Sequence, residues 1–154
     1  MTISCRALRK NDLSELTDIL NATDLFPADM LDDMVQGYLT QQSDDRWCVS
    51  LAGHIVVGFA FLEPERMTSG TWNMLALAVS PDHQGQGIGA ALVGYAESTL
   101  IKAKARLMLV DTLDTEDFAP QRRFYTSCGY QKAAHIPDFY DRGAGKVTFT
   151  KNLC

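Results

Sequence analysis

The feature that most constrains this chain is a glycine-rich segment in its middle, Gln84-Gly85-Gln86-Gly87-Ile88-Gly89-Ala90. An apolar run from Leu75 to Val79 precedes it, and an amphipathic pattern from Ile88 to about Ile101 follows it. Glycines ahead of a helix leave consecutive backbone N–H groups beside the positive end of the helix dipole. The pattern therefore predicts a strand, a loop and a helix that together bind a phosphate or pyrophosphate group.

Length and charge limit the class of protein. The chain has 154 residues, which suffices for one domain with a sizeable core. Its formal net charge of -5 argues against a dedicated nucleic-acid binder, which usually carries a basic face. No apolar run approaches the roughly 18 to 20 residues of a membrane span, and the start has no secretory-signal pattern. We expect a single domain over residues 1–154, cytoplasmic and without a nucleic-acid or membrane partner.

The cysteines and histidines predict no metal site. They are Cys5, Cys48, Cys128 and Cys154, and His54, His83 and His135. The cysteines are widely scattered and form no C-x-x-C pair, so free thiols are expected and no metal is required. The histidines are isolated, and we assign none of them a catalytic role.

Hydrophobic periodicity divides the chain into alternating strands and helices. The predicted strands cover residues 3–8, 47–51, 55–62, 71–79, 106–111, 130–136 and 146–151. The predicted helices begin near residues 12, 27, 88 and 117, with Asn11 or Asp12 and Asp117 as caps, and Gly129 ends the last helix. Strand 106–111 is predicted to be buried on both faces, and residues 137–145 are predicted to form a turn-rich loop. This is one α/β domain with mixed strand directions.

The glycine-rich loop has two alternative interpretations as a nucleotide-binding motif. A P-loop requires Gly-Lys-Ser or Gly-Lys-Thr, which the chain lacks. Gly85, Gly87 and Ala90 do satisfy the dinucleotide fingerprint, with Asp111 further along as a ribose-binding acid. However, more than seventy residues precede the loop, and Ser80–His83 separates the strand from the first glycine. A dinucleotide-binding domain therefore stays only as an alternative.

A third interpretation fits the whole chain. The segment from Leu77 to Leu92 resembles the acetyl-CoA loop of the GCN5-related N-acetyltransferase (GNAT) family. That family's pattern is Gln or Arg, two residues, Gly, one residue, then Gly or Ala, and Gln84, Gly87 and Gly89 match it. A second family element, an aromatic-Tyr pair followed by Gly-aromatic, is matched by residues 124–130. The predicted order of strands and helices is also similar to the family's.

The resemblance implies a fold and an activity. The fold is an α/β (α+β), GNAT-like acyl-CoA acyltransferase domain with a mixed, mostly antiparallel sheet of six to seven strands and about four helices. The activity is that of an acetyl-CoA-dependent N-acetyltransferase in which a primary amine attacks the thioester directly in a ternary complex. A non-catalytic CoA-binding sensor or partner-binding module is the alternative from another class.

The resemblance also implies cofactor-binding residues. They are Leu77, Ala78, Val79, Gln84, Gly85, Gln86, Gly87, Ile88, Gly89, Ala90 and Phe118. The backbone from Gly85 to Ala90 is expected to bind the pyrophosphate, where a Cβ would obstruct a close approach. The strand 77–79 is expected to pair with the pantetheine arm and to donate an N–H to the oxyanion. Phe118 stands where many members have an asparagine, so one polar contact is missing; Phe118 packs on the arm or walls the acceptor site.

The resemblance also implies catalytic residues, with one departure from the family's pattern. Tyr125 resembles the family's general acid, and a phenol is protonated at neutral pH and can donate to a thiolate. Where some members carry a glutamate base, this chain has Asn73. Asp111 remains as a base, a substrate anchor or a structural acid, and these three roles stay open. Glu63 and Glu65 are weaker candidates.

The acceptor side carries acids and aromatic residues: Asp24, Asp29, Asp32, Asp33, Asp138, Asp141, Phe26, Tyr38, Phe139 and Tyr140. Such a surface suits a small-molecule amine or a peptide amino terminus. Solvated helix faces explain the same residues equally well. The exposed sheet edges of such a fold also leave a homodimer open.

Overall fold

The computed structural model describes residues 2–154, which form a seven-stranded sheet with four α-helices. The strands are β1 (Ile3–Ala7), β2 (Arg46–Ala52), β3 (Ile55–Pro64), β4 (Thr71–Val79), β5 (Leu107–Leu113), β6 (Gln131–Asp141) and β7 (Ala144–Asn152). The helices are α1 (Leu13–Thr23), α2 (Leu31–Leu39), α3 (Ile88–Lys102) and α4 (Ala119–Ser127). A short 3₁₀ turn lies ahead of each helix. The predicted α/β fold with a mixed sheet is confirmed.

The sheet has the order β1-β2-β3-β4-β5-β7-β6. All neighbouring strands are antiparallel except β4 and β5, which are parallel and pair only from Thr71–Leu107 to Asn73–Leu109. Beyond Asn73 the two strands separate. The register between β3 and β4 also shifts at this point, so that Leu75 is an extra residue in β4. The bulge and the separation open the middle of the sheet.

Each face of the sheet has its own core. Leu16, Leu20 and Val35 of α1 and α2 belong to one cluster, which also contains the stacked rings of Trp47 and Phe61, 4.2 Å apart. The other cluster lies beneath α3 and α4. Within residues 2–154, no helix is both long and apolar enough to cross a membrane.

Asp12 occupies the cap position of α1 as predicted, whereas Asp117 does not occupy that of α4. The carboxylate of Asp12 makes two hydrogen bonds with Arg6, at 2.7 and 3.0 Å, and accepts the N–H of Arg9 at 2.8 Å. A paired guanidinium is a stronger partner than a helix N–H, so the side chain of Asp12 makes no capping hydrogen bond to α1. Asp117 lies inside the turn that precedes α4, and Phe118 occupies the cap position. Gly129, with φ 93°, does follow the end of α4 as predicted.

The carboxyl-terminal part differs from its prediction in two ways. Residues 137–145 were predicted as a loop, but β6 continues to Asp141 and β7 begins at Ala144. The register shifts between Ile136 and Asp141, so Pro137 and a left-handed Asp138 (φ 58°) lie in a bulge within the strand, which explains their loop-like composition. β5 alternates between buried and partly exposed residues and is therefore not buried on both faces.

Candidate active site

The separation of β4 and β5 forms a cavity of about 550 Å³. Residues 74–79 of β4 and 110–113 of β5 line its walls, and residues 22–25 at the end of α1 line its rim. β4 pairs with β5 only as far as Asn73, so from Met74 onward this edge of β4 has no neighbouring strand. Its backbone N–H and C=O groups are therefore available to an extended ligand, which would bind as an added strand does.

A second cavity of about 700 Å³ lies beside the glycine-rich loop. Gly85 and Gly87 have φ values of 77° and 78°, in the left-handed region that favours glycine. A Cβ at either position would meet no protein atom within 4 Å. The space next to these two residues is consequently open for a ligand that approaches the backbone closely.

The amino terminus of α3 opens onto this second cavity without a capping side chain. Gly87 is the cap residue and offers no side chain, and the first intrahelical bond runs from Ala91 N–H to Gly87 C=O at 3.1 Å. The N–H groups of Ile88, Gly89 and Ala90 therefore have no helical partner, and these residues line the cavity. Uncapped N–H groups at the positive end of a helix fit the phosphate groups of a nucleotide-like cofactor.

The two cavities are the two ends of one cleft. They share five lining residues, Leu77, Val79, Gln84, Gln121 and Tyr125. Gln121 was not predicted from the sequence. It precedes Tyr125 by four residues on α4 and so lies on the same face of the helix, which is a signal that the sequence did contain.

Tyr125 lies where the two ends of the cleft meet. Its side chain is 8% exposed, and its ring packs against Phe124 at 5.3 Å and Phe149 at 6.1 Å between centroids. The hydroxyls of Tyr38 and Tyr130 have protein hydrogen-bond acceptors, whereas that of Tyr125 has none within residues 2–154. Burial raises the pKa of Tyr125 above its ordinary value, so its hydroxyl stays protonated at neutral pH.

Asp111 lines the β5 wall of the first cavity, but its carboxylate is engaged by β7. Thr148, its partner in the strand register, donates its hydroxyl to Oδ1, and Nζ of Lys146 lies 3.4 Å from Oδ2. The same ammonium lies 4.4 Å from the centroid of the Phe139 ring. These contacts place a cation next to the acid that lines the cleft.

The two weaker candidate acids and Asn73, which stands at the position of the family's glutamate, lie outside the cleft. Asn73 is buried, and its Nδ2 donates to Oε1 of Glu65 at 3.1 Å. Burial raises the pKa of Glu63, and the neighbouring charges of Asp45 and Glu65 add to this effect. Neither Glu63 nor Glu65 lines either cavity, because both lie where β4 and β5 are still paired.

Most residues predicted to bind the cofactor lie along the cleft. The second cavity is lined by Leu77, Val79, Gln84, Gly85, Gly87, Ile88, Gly89 and Ala90, and the first also by Ala78 and Phe118. Gln86 lines neither cavity. Of the acids and aromatic residues predicted on the acceptor side, only Asp24 lines the first cavity.

Within residues 2–154, no group of three or more His, Cys, Asp or Glu side chains is arranged to hold a metal ion.

Comparison with protein-family models gives one match. The model of the acetyltransferase (GNAT) domain matches residues 43–132, which include the glycine-rich loop, β4 and α4. No curated protein matches the sequence at a significant level.

Solved structures of acetyltransferases share the fold over the full chain. A protein assigned to the GNAT family from Desulfovibrio desulfuricans is 23% identical, with a TM-score of 0.90, over 99% of this chain and 100% of that one. A protein assigned as an acetyltransferase from Salmonella typhimurium, solved with its cofactor acetyl-CoA, is 20% identical, with a TM-score of 0.81, over 100% and 95%. The aminoglycoside 6'-N-acetyltransferase from Enterococcus faecium is 18% identical, with a TM-score of 0.82, over 100% and 98%. At these identities the likeness concerns the fold.

Proposed function

This chain belongs to the acetyltransferase (GNAT) family, and on that premise we propose that it transfers an acetyl group from acetyl-CoA to a primary amine. One observation carries the proposal: the uncapped amino terminus of α3 opens into a cleft that continues to the hydroxyl-bearing side chain of Tyr125. The Salmonella typhimurium neighbour holds acetyl-CoA, which supports the donor. The Enterococcus faecium neighbour acts on an aminoglycoside, which supports an amine as the acceptor.

The glycine-rich loop is proposed to bind the pyrophosphate of the cofactor. The free N–H groups of Ile88, Gly89 and Ala90 supply hydrogen bonds, and the glycines at 85 and 87 leave room for the phosphates. The unpaired edge of β4 from Leu77 to Val79 is proposed to pair with the pantetheine arm. When bound, acetyl-CoA supplies a thioester as the activated acetyl group.

Tyr125 is proposed as the general acid of a direct transfer. The amine nitrogen forms a bond to the carbonyl carbon and loses a proton to solvent water, while the carbon–sulfur bond breaks and its electron pair stays on the sulfur. Tyr125 donates its proton to the departing sulfur. Because burial raises the pKa of Tyr125, its hydroxyl carries this proton at neutral pH. A backbone N–H on the free edge of β4 is proposed to stabilise the negative charge on the carbonyl oxygen.

Asp111 is proposed to act mainly through its contacts with β7. It has the position for a base or a substrate anchor because it lines the cavity. Its contacts with Thr148 and Lys146 favour the third role, an acid that fixes the wall of the acceptor site. Phe118 lines the acceptor end and is proposed to form part of that wall.

Other features of the account stay predictions. The cytoplasmic location and the single domain over residues 1–154 are predictions from the sequence, and a homodimer stays open. A non-catalytic CoA-binding module is the competing function, and it differs from an enzyme only in turnover.

The test is a titration of acetyl-CoA by calorimetry, followed by a thiol-release screen of amino acids, polyamines, aminoglycosides and peptides. We expect saturable binding and thiol release that depends on one class of amine. Binding without amine-dependent release in any class would instead indicate the CoA-binding module. Absence of binding would contradict both functions.

A further inference from the structure

Among residues 2–154, the cavity between β4 and β5 is lined by two carboxylates and by no lysine or arginine. The carboxylates belong to Asp24, which follows α1, and to Asp111 on β5. A cleft lined by charge of one sign concentrates ligands of the opposite sign. The two acids nevertheless differ in what their carboxylates contact.

The negative charge of Asp111 already has a partner. Lys146 places its ammonium 3.4 Å from Oδ2, and Thr148 donates to Oδ1. Both side chains come from β7, which pairs with β5 along its whole length. An incoming cation would therefore compete with Lys146 for this acid.

Asp24 has no partner of this kind. Within residues 2–154 its carboxylate takes part in no ion pair and in no side-chain hydrogen bond. Its backbone is held at φ 54°, and its N–H bonds to the carbonyl of Leu20 at 2.9 Å, so the end of α1 fixes its position. Of the two acids of the cavity, Asp24, which is exposed at the α1 rim, is consequently the one whose charge has no protein partner within residues 2–154.

We infer that Asp24 determines acceptor specificity by binding a second, protonated amino group, so that the acceptor is a diamine or polyamine. This inference rests on the proposed function. The nitrogen that attacks the thioester must be neutral and gains little from a carboxylate. A distal ammonium keeps its charge throughout the reaction and gains an ion pair with Asp24. A monoamine acceptor lacks that second group.

The test compares cadaverine with n-pentylamine, which has the same carbon chain and a single amino group. Asp24→Asn removes the charge with little change of shape, and asparagine tolerates the left-handed backbone. We expect Asp24→Asn to raise KM for cadaverine by about fivefold, as for an ion pair in a solvent-accessible cleft. The kcat/KM for n-pentylamine should stay within about twofold, since its only nitrogen lies at the thioester. Asp29→Asn, which removes an acid outside the cavity, is the matched control.

Calorimetric titration of cadaverine separates this inference from the proposed function, because it requires no turnover. Weaker cadaverine binding in Asp24→Asn, with unchanged binding in Asp29→Asn, supports the anchor even if no acetyl transfer is detected. Equal losses of kcat for both amines would overturn the inference, since Asp24 would then act on the attacked nitrogen. Unchanged KM and affinity for cadaverine in Asp24→Asn would overturn it as well, whether or not the protein is an acetyltransferase.

Discussion

The ammonium nitrogen of Lys146 lies 3.4 Å from Oδ2 of Asp111, so the acid on the β5 wall of the cleft is paired with a cation from the neighbouring strand. About one fifth of each side chain is exposed, 22% for Lys146 and 20% for Asp111. An ion pair in this setting holds the Asp111 carboxylate toward β7, and that carboxylate belongs to the wall of the cleft.

Replacement of Asp111 distinguishes a structural acid from a general base. We expect Asp111→Asn to lower the free energy of unfolding by about 1 kcal/mol through loss of the ion pair. Turnover should fall by less than about tenfold, because a general base contributes on the order of 100-fold or more. Urea unfolding and steady-state kinetics measure the two effects. A turnover loss above about 100-fold with unchanged stability would identify Asp111 as the base.

A second prediction concerns the glycine-rich loop. Gly87→Glu should weaken acetyl-CoA binding by at least about tenfold, because it adds a negative charge beside the phosphates and forces a side chain into the left-handed region at φ 78°. Gly94→Glu on the same helix is the control, since Gly94 is exposed and lines neither end of the cleft. Calorimetry measures both affinities. Equal affinities in the two variants would refute the cofactor-site assignment.

The pH dependence of turnover follows from the burial of Tyr125. Burial raises its pKa above the ordinary value of 10.0, so the hydroxyl remains protonated, and able to donate, throughout the range below that pH. We expect kcat to show no alkaline decline due to Tyr125 between about pH 7 and pH 10. A decline within this range that disappears in Tyr125→Phe would mean that the tyrosine ionises earlier than its burial predicts.

Stability should depend on pH through Asp12. Its hydrogen bonds with Arg6 lower the pKa of the carboxyl in the folded protein, and this outweighs the opposing effect of burial. The stabilisation is therefore present above the unfolded-state pKa near 4 and is lost as the pH falls through the lower folded-state pKa. Asp12→Asn should cost about 1–3 kcal/mol at neutral pH and progressively less in acid. Asp18→Asn on the exposed face of α1 is the control for charge, and urea unfolding over this pH range checks both.

Local patterns predicted the parts of the site that lie on single elements. The glycines at 85 and 87 predicted the loop because only their backbone adopts left-handed φ values without strain. The aromatic-Tyr element at residues 124–130 predicted Tyr125 as a site residue, and Tyr125 lines both ends of the cleft. The order of strands and helices followed from the alternation of the same patterns.

The cleft itself was beyond prediction from local patterns. It depends on the extra residue at Leu75 and on the end of β4–β5 pairing at Asn73, both of which are set by register against strands distant in the chain. The pairing of Asp12 with Arg6 likewise joins two elements, and so the capping pattern predicted the position of Asp12 but not the partner of its carboxylate. The contacts of Asp111 come from β7, on the far side of α4 in the sequence.

Acetyl transfer in the proposed mechanism depends most on Tyr125 as the group that protonates the departing thiolate. The direct measurement is thiol release at saturating acetyl-CoA and acceptor by the wild type, by Tyr125→Phe and by Tyr95→Phe, a matched loss of one hydroxyl outside the cleft. We expect unchanged acetyl-CoA affinity in all three proteins, with kcat about 100-fold or more lower only in Tyr125→Phe. A Tyr125→Phe variant that turns over as fast as the wild type would contradict this mechanism.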